Sequence, residues 1–164
     1  MKRPTLQTIN IQPIVLDIAQ QIHKWCDGET SLEDTIISTT KILENNRYVS
    51  DGYELAKDFE DEGWMPDSQL VEILEDVFWK MNQQLNVETK IWSEKNSIKP
   101  LLDCGKQVKF KNQGKIIEGE IIKIDDKEAK YHIFMPSEGH VREGVGKHAR
   151  IFKYEDVENH LITE

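Results

Sequence analysis

Two periodicities divide this chain. Up to about residue 96 apolar side chains recur every three to four positions, and from residue 107 they recur at every second one. The first spacing belongs to helices that bury one stripe, the second to strands that bury one face. Helices followed by strands make the expected fold class α+β.

Four helices can be read. In "QPIVLDIAQQIHKWC", Ile14, Ile18, Ile22 and Trp25 share a face, and Asp27-Gly28 ends the run. Ser31 opens "SLEDTIISTTKILENN", with Asp34 three residues on in an arrangement close to a capping box. Leu32, Ile36 and Leu43 supply its stripe. A shorter helix covers "DGYELAKDFEDE", with Asp51 as N-cap, Leu55 and Phe59 facing inward, and Gly63 placed as C-terminal cap. A long helix fits Asp67 to about Asn96, along Leu70, Leu74, Val77, Met81 and Leu85. Single stripes joined by short connections bury most simply against one another, so residues 1–98 are expected to form a four-helix bundle.

Beyond Pro100, "QVKFK", "KIIEGEIIKID", "AKYHIFM" and "ARIFKY" read as short strands separated by turn signals, with Gly119 at a bulge or bend. A small barrel over residues 104–160 is the expected outcome. Within "CGKQVKFKNQGKIIEGEIIKID", Gly105, Val108, Gly119 and Ile121 fall as in the opening hairpin of SH3-like barrels of the KOW and Tudor type. The segment 104–158 resembles that family, which implies an SH3-like barrel, a fold that serves many functions. Tudor domains that read methylated side chains use an aromatic cage, for which Phe134, Phe152 and Tyr154 are the candidates.

Charge separates the same two halves. The net charge is −9; residues 1–100 carry 10 Lys+Arg against 18 Asp+Glu, and residues 101–164 carry 11 against 12. An acidic surface repels phosphate backbones over a Debye length, about 8–10 Å at physiological salt. The helical half is therefore suited to a basic protein partner rather than to nucleic acid. The only cysteines, Cys26 and Cys104, are isolated, which suggests a reducing, cytoplasmic compartment. The N-terminus lacks the apolar core of a signal peptide, and no window approaches the ~18 apolar residues of a membrane span. No membrane partner is expected.

The loop "MPSEGHVREGVGKHAR", Met135 to Arg150, concentrates the suggestive chemistry. Gly144-Val145-Gly146-Lys147 evokes phosphate binding, but a P-loop continues with Ser or Thr and a helix, whereas His148 and a strand follow here. His132, His140 and His148, with Glu138 and Glu143 nearby, match no metal-ligand spacing, so neither a metal nor another cofactor is expected. Lys109 and Lys111 share the outward face of the first strand, and Arg142, Lys147 and Arg150 could extend a phosphate-contacting stripe. Lysines on an edge strand also serve to deter unwanted pairing.

A helix-turn-helix over Ser38 to Glu62 is excluded, because the recognition helix would carry Asp51, Glu54, Asp58, Glu60, Asp61 and Glu62 against Lys57 alone. That acidic run, followed by Trp64, offers an anchor for a basic partner, with Phe59, Glu60, Asp61, Glu62 and Trp64 as contact residues. Its structural alternative is a solvated helix end with the indole stapling helices together. No nucleophile or hydrolase motif is present, and no catalytic residue is assigned. The function expected is that of a non-enzymatic adaptor or inhibitor, engaging a larger basic protein through the acidic helices and a barrel loop. The alternatives are nucleic-acid binding by the barrel and a metal- or phosphate-dependent enzyme.

Overall fold

The structure, a computed structural model, describes residues 2–136 and 149–162. Five helices come first: α1 (Gln12–Trp25), α2 (Leu32–Asn45), α3 (Gly52–Asp61), α4 (Ser68–Glu75) and α5 (Val77–Lys95). Among the described residues four strands follow, β1 (Gln107–Asn112), β2 (Lys115–Asp125), β3 (Lys130–Phe134) and β4 (Ala149–Lys153), and then a short helix, α6 (Tyr154–Glu158). The chain is thus mixed helix and strand. Its contacts divide into Lys2–Glu88 and Thr89–Glu164, a boundary that falls inside α5.

In Lys2–Glu88 the helix ends follow local chemistry. The Asn10 side chain accepts the Gln12 N–H at 3.1 Å, and Pro13 occupies the first turn of α1, where its missing N–H is no loss. Asp27 and Gly28 take positive φ (49° and 76°) to end that helix. Ser31 accepts the Asp34 N–H at 3.1 Å and donates its hydroxyl to the Asp34 carboxylate at 2.6 Å, so both ends of the pair are used. Asp51 and Asp67 cap α3 and α4 as acceptors alone, Asp51 from the Tyr53 N–H and Asp67 from those of Gln69 and Leu70.

The close of α3 is a Schellman motif. The Trp64 N–H bonds the Phe59 carbonyl at 3.0 Å and the Gly63 N–H bonds that of Glu60 at 2.9 Å, with Gly63 at φ 90°. The hydrophobic contact that accompanies this motif is an edge-on pair of Phe59 and Trp64, their ring centroids 5.8 Å apart.

Packing departs from the expected four-helix bundle in two places. The run Asp67–Asn96 is not one helix: Asp76 interrupts it between α4 and α5. The interruption follows directly on a close backbone approach, for a Cβ on Gly52 would stand 2.7 Å from the Val71 carbonyl oxygen and 2.8 Å from the Glu75 nitrogen. The first four helices pack with α1 against α2 and α4, and α3 against α2 and α4. The buried stripe of α2 is Thr35, Thr39, Ile42 and Leu43, with Leu32 and Ile36 only partly covered. Thr35 can face inward because its hydroxyl bonds the Ser31 carbonyl of its own helix at 2.8 Å, whereas the buried Thr39 hydroxyl has no hydrogen-bond partner among the described residues.

In Thr89–Glu164 the strands form an antiparallel meander in the order β1-β2-β3-β4. The β1–β2 hairpin turns on Gln113 and Gly114, both with positive φ (47° and 81°), as a two-residue turn matched to strand twist requires. The register shifts between Ile121 and Lys123, where β2 is irregular. Val108, Phe110, Ile121, Tyr131, Ile133 and Phe152 fill one face, and Trp92 and Ile98 pack against the same cluster.

The sheet is open rather than the closed barrel expected: among the described residues β1 and β4 do not pair. The outer edge of β1 is met instead by the segment after α6. The Lys111 N–H bonds the His160 carbonyl at 3.1 Å and the Ile162 N–H bonds that of Lys109 at 2.8 Å, which makes a bridge between Phe110 and Leu161.

Two tyrosines lock α6 onto the sheet. Tyr131 and Tyr154 lie with ring centroids 4.5 Å apart. The Tyr131 hydroxyl donates to Glu158 and accepts the Leu102 N–H at 3.2 Å, and the Tyr154 hydroxyl donates to Asp126 at 3.0 Å. Burial, then the facing carboxylate, raises both phenols well above their ordinary value of 10.0. Folding therefore favours the neutral phenols. Their contribution is complete below about pH 10 and is lost as pH rises past it. The melting temperature should fall steeply above about pH 10, and Tyr131→Phe should show a shallower fall while losing about 1 kcal/mol at neutral pH. Thermal unfolding followed across that range checks both; equal slopes for the two proteins would remove Tyr131 as the cause.

Candidate functional site

The corner between α3 and α4, Glu60 to Asp67, is built by three local devices. The Schellman turn fixes where the chain leaves α3, Pro66 stiffens the connection, and Asp67 receives the Gln69 and Leu70 N–H groups at 2.9 and 3.0 Å to start α4. The Trp25 indole N–H also donates to Asp67, at 3.1 Å. The Leu70 N–H and, after it, that indole hold the Asp67 carboxyl below the usual carboxylate range.

A groove lies on each side of this corner. One, of about 680 Å³, is lined by Trp25, Cys26, Asp27, Glu29, Glu62 and Trp64, among others. The other, of about 870 Å³, runs between α3 and α4 and is lined by Tyr53, Lys57, Glu60, Asp61, Val71 and Glu72, with Pro66 and Asp67. Met65, 89% exposed, stands on the corner between them. The Lys57 ammonium sits 4.6 Å above the Tyr53 ring centroid and 2.9 Å from a Glu54 oxygen, which pushes its pKa upward.

The acidic run expected to meet a partner is divided by this geometry. Glu60 and Asp61 face the α3–α4 groove, while Glu62 and Trp64 line the other, with Lys41 held 2.6 Å from Glu62. Phe59 is corrected outright. It is 0% exposed, in the middle of the helical core, so it cannot touch a partner in the folded chain. Trp64 is half-buried against it. The large aromatic and apolar side chains most open to solvent here are Tyr53 and Met65. Tyr53 was legible, since on α3 the inward positions 55 and 59 place residue 53 on the outer face; Met65 lay in a connection where periodicity says nothing.

Comparison with protein-family models, with curated proteins and with solved structures gives no match to the chain. No family is assigned.

The basic stripe expected on the sheet is broken up by strand register. Lys109 stands opposite Glu118 across the β1–β2 ladder and pairs with it at 2.7 Å. Lys111 is exposed opposite Ile116. Arg150 is registered against the buried Ile133 and so belongs to the other face from Lys109 and Lys111. Arg142 and Lys147, the 144–147 glycine-lysine run, and His140 and His148 lie outside the described residues. Phe152 and Tyr154 are sheet-core residues, 8% and 2% exposed, which takes them out of an open aromatic cage with Phe134. Among the described residues no three His, Cys, Asp or Glu side chains converge on a metal position, and no helix is long and apolar enough to cross a membrane.

Proposed function

We propose that the chain is a non-enzymatic binding protein, an adaptor or inhibitor, that engages a larger basic partner through the acidic α3–α4 corner in a cytoplasmic setting. One observation carries this reading. The last turn of α3 holds no basic residue, yet Glu60, Asp61 and Glu62 crowd the helix end where the macrodipole is negative. Each acid so placed costs about 0.3–1 kcal/mol of helix stability. Carboxylates held where they weaken their own helix make sense when a cationic surface approaches them, and the same field speeds encounter with such a surface. The SH3-like reading of the sheet is part of the proposal. The order of β1 to β4, the helical turn α6 and the return of residues 160–162 along β1 support it.

Capture from a lysate of the source cell tests the function. A partner should be retained after nuclease treatment, lost as salt is raised, and lost to the variant Glu60→Lys/Asp61→Lys. That variant should unfold at the same or a higher temperature, because lysine suits the end of α3. A partner released by nuclease would favour the nucleic-acid alternative, and unchanged capture by the lysine variant would remove the corner as the contact.

A further inference from the structure

The two grooves are not equivalent. In the groove beside Trp25, Asp67 is occupied by the indole and the α4 cap, and Glu62 by Lys41. Its Trp64 meets the core ring of Phe59 edge-on. The α3–α4 groove has the opposite character. Tyr53 is 57% exposed and serves no core contact, Pro66 and Val71 add apolar wall, and Glu60, Asp61 and Glu72 are exposed along the rim. Among the described residues the one cation in it, Lys57, is already committed to Glu54 and to the Tyr53 ring.

We infer that the α3–α4 groove is the seat of a partner's amphipathic basic helix, with an apolar side chain laid against Tyr53, Pro66 and Val71 and flanking lysines or arginines meeting Glu60, Asp61 and Glu72. This rests on the reading of the corner as a contact for a basic protein. The occupant follows from two features. The Lys57 ammonium already caps the tyrosine ring, so what the ring offers an incoming group is apolar area rather than a cation site. The rim carboxylates then select positive charge on both sides of that apolar contact. An amphipathic helix presents such a stripe between charged flanks, and apolar grooves with charged rims are a recurring seat for one.

The full chain is titrated at low salt with an amphipathic leucine/lysine helical peptide and with an all-lysine peptide of equal charge. The leucine/lysine peptide should bind at least about tenfold more tightly, a difference of about 1.4 kcal/mol, which a single anchor side chain can supply. Tyr53→Ala and Glu72→Lys, both at exposed positions, should each weaken it roughly fivefold or more, whereas Glu33→Lys on the exposed side of α2 should change it less than about twofold. Equal binding by the two peptides would overturn the apolar seat. Unchanged binding by Tyr53→Ala and Glu72→Lys would move the seat elsewhere and leave the acidic-corner reading standing. Failure of every basic peptide to bind the parent chain would overturn both.

Discussion

Replacing Phe59 by alanine is expected to lower the unfolding free energy by about 3–5 kcal/mol, the usual cost of deleting a fully buried phenylalanine. Phe59 is 0% exposed, and its ring stands nearly perpendicular to that of Trp64 at the close of α3. Its loss leaves a cavity and also removes the hydrophobic half of the turn that aims the chain from α3 into the corner. Against a typical stability of 5–15 kcal/mol for a domain, such a loss is a large fraction. Phe59→Leu, which keeps most of the volume, should cost less than about 1.5 kcal/mol. Urea unfolding of the full chain with both variants measures the pair. A contact residue would give the reverse, with binding impaired and the midpoint unmoved. A Phe59→Ala midpoint indistinguishable from the parent's would therefore restore Phe59 to the surface.

The second large effect is expected at Gly119. A Cβ there would lie 2.3 Å from the Phe134 carbonyl oxygen and 2.7 Å from the Ile133 Cγ2 atom. The first neighbour is backbone of β3, so relief requires the strands to part rather than a side chain to swing aside. Gly119→Ala should therefore cost about 3 kcal/mol, the upper end of the range for overpacking. Gly114→Ala makes the contrast. Nothing lies within 4 Å of a Cβ at that position, and its cost comes from positive φ alone, about 1 kcal/mol. Denaturation midpoints that rank Gly114→Ala as the more harmful of the two would show that β2 does not pass so close to β3.

What the sequence disclosed was what local chemistry decides. Ser31, Asp51 and Gly63 announce helix ends because a cap acts on N–H and carbonyl groups two to four residues away, and the caps stand where those residues put them. The division into helices and strands was legible for the same reason, since each period reports one face of one element. What failed to show was whatever depends on a second element. Thr35 and Thr39 face inward because α2 meets α1, and nothing in the spacing of Leu32 and Ile36 reports that neighbour. The break at Asp76 coincides with a backbone approach from Gly52, more than twenty positions earlier. Lys109 looked like part of a basic stripe until the strand register set Glu118 opposite it. Phe59 carried two conflicting signals, an inward helical position and a place within an acidic run; its burial follows the first.

Asp67 carries a consequence for how the corner responds to ligands. One carboxylate starts α4, holds the Trp25 ring and borders both grooves. Its depressed pKa means that folding and ionisation favour each other: the contribution is full above the ordinary value of 3.8 and is lost as pH falls through the lower folded value. Any cation that settles in either groove also prefers the ionised form. Thermodynamic reciprocity then requires that such a cation tighten the α4 cap, and that acid strong enough to protonate Asp67, below its ordinary value of 3.8, loosen the cap and weaken the cation's hold together. Proton, helix start and ligand share a single free-energy coupling through one side chain.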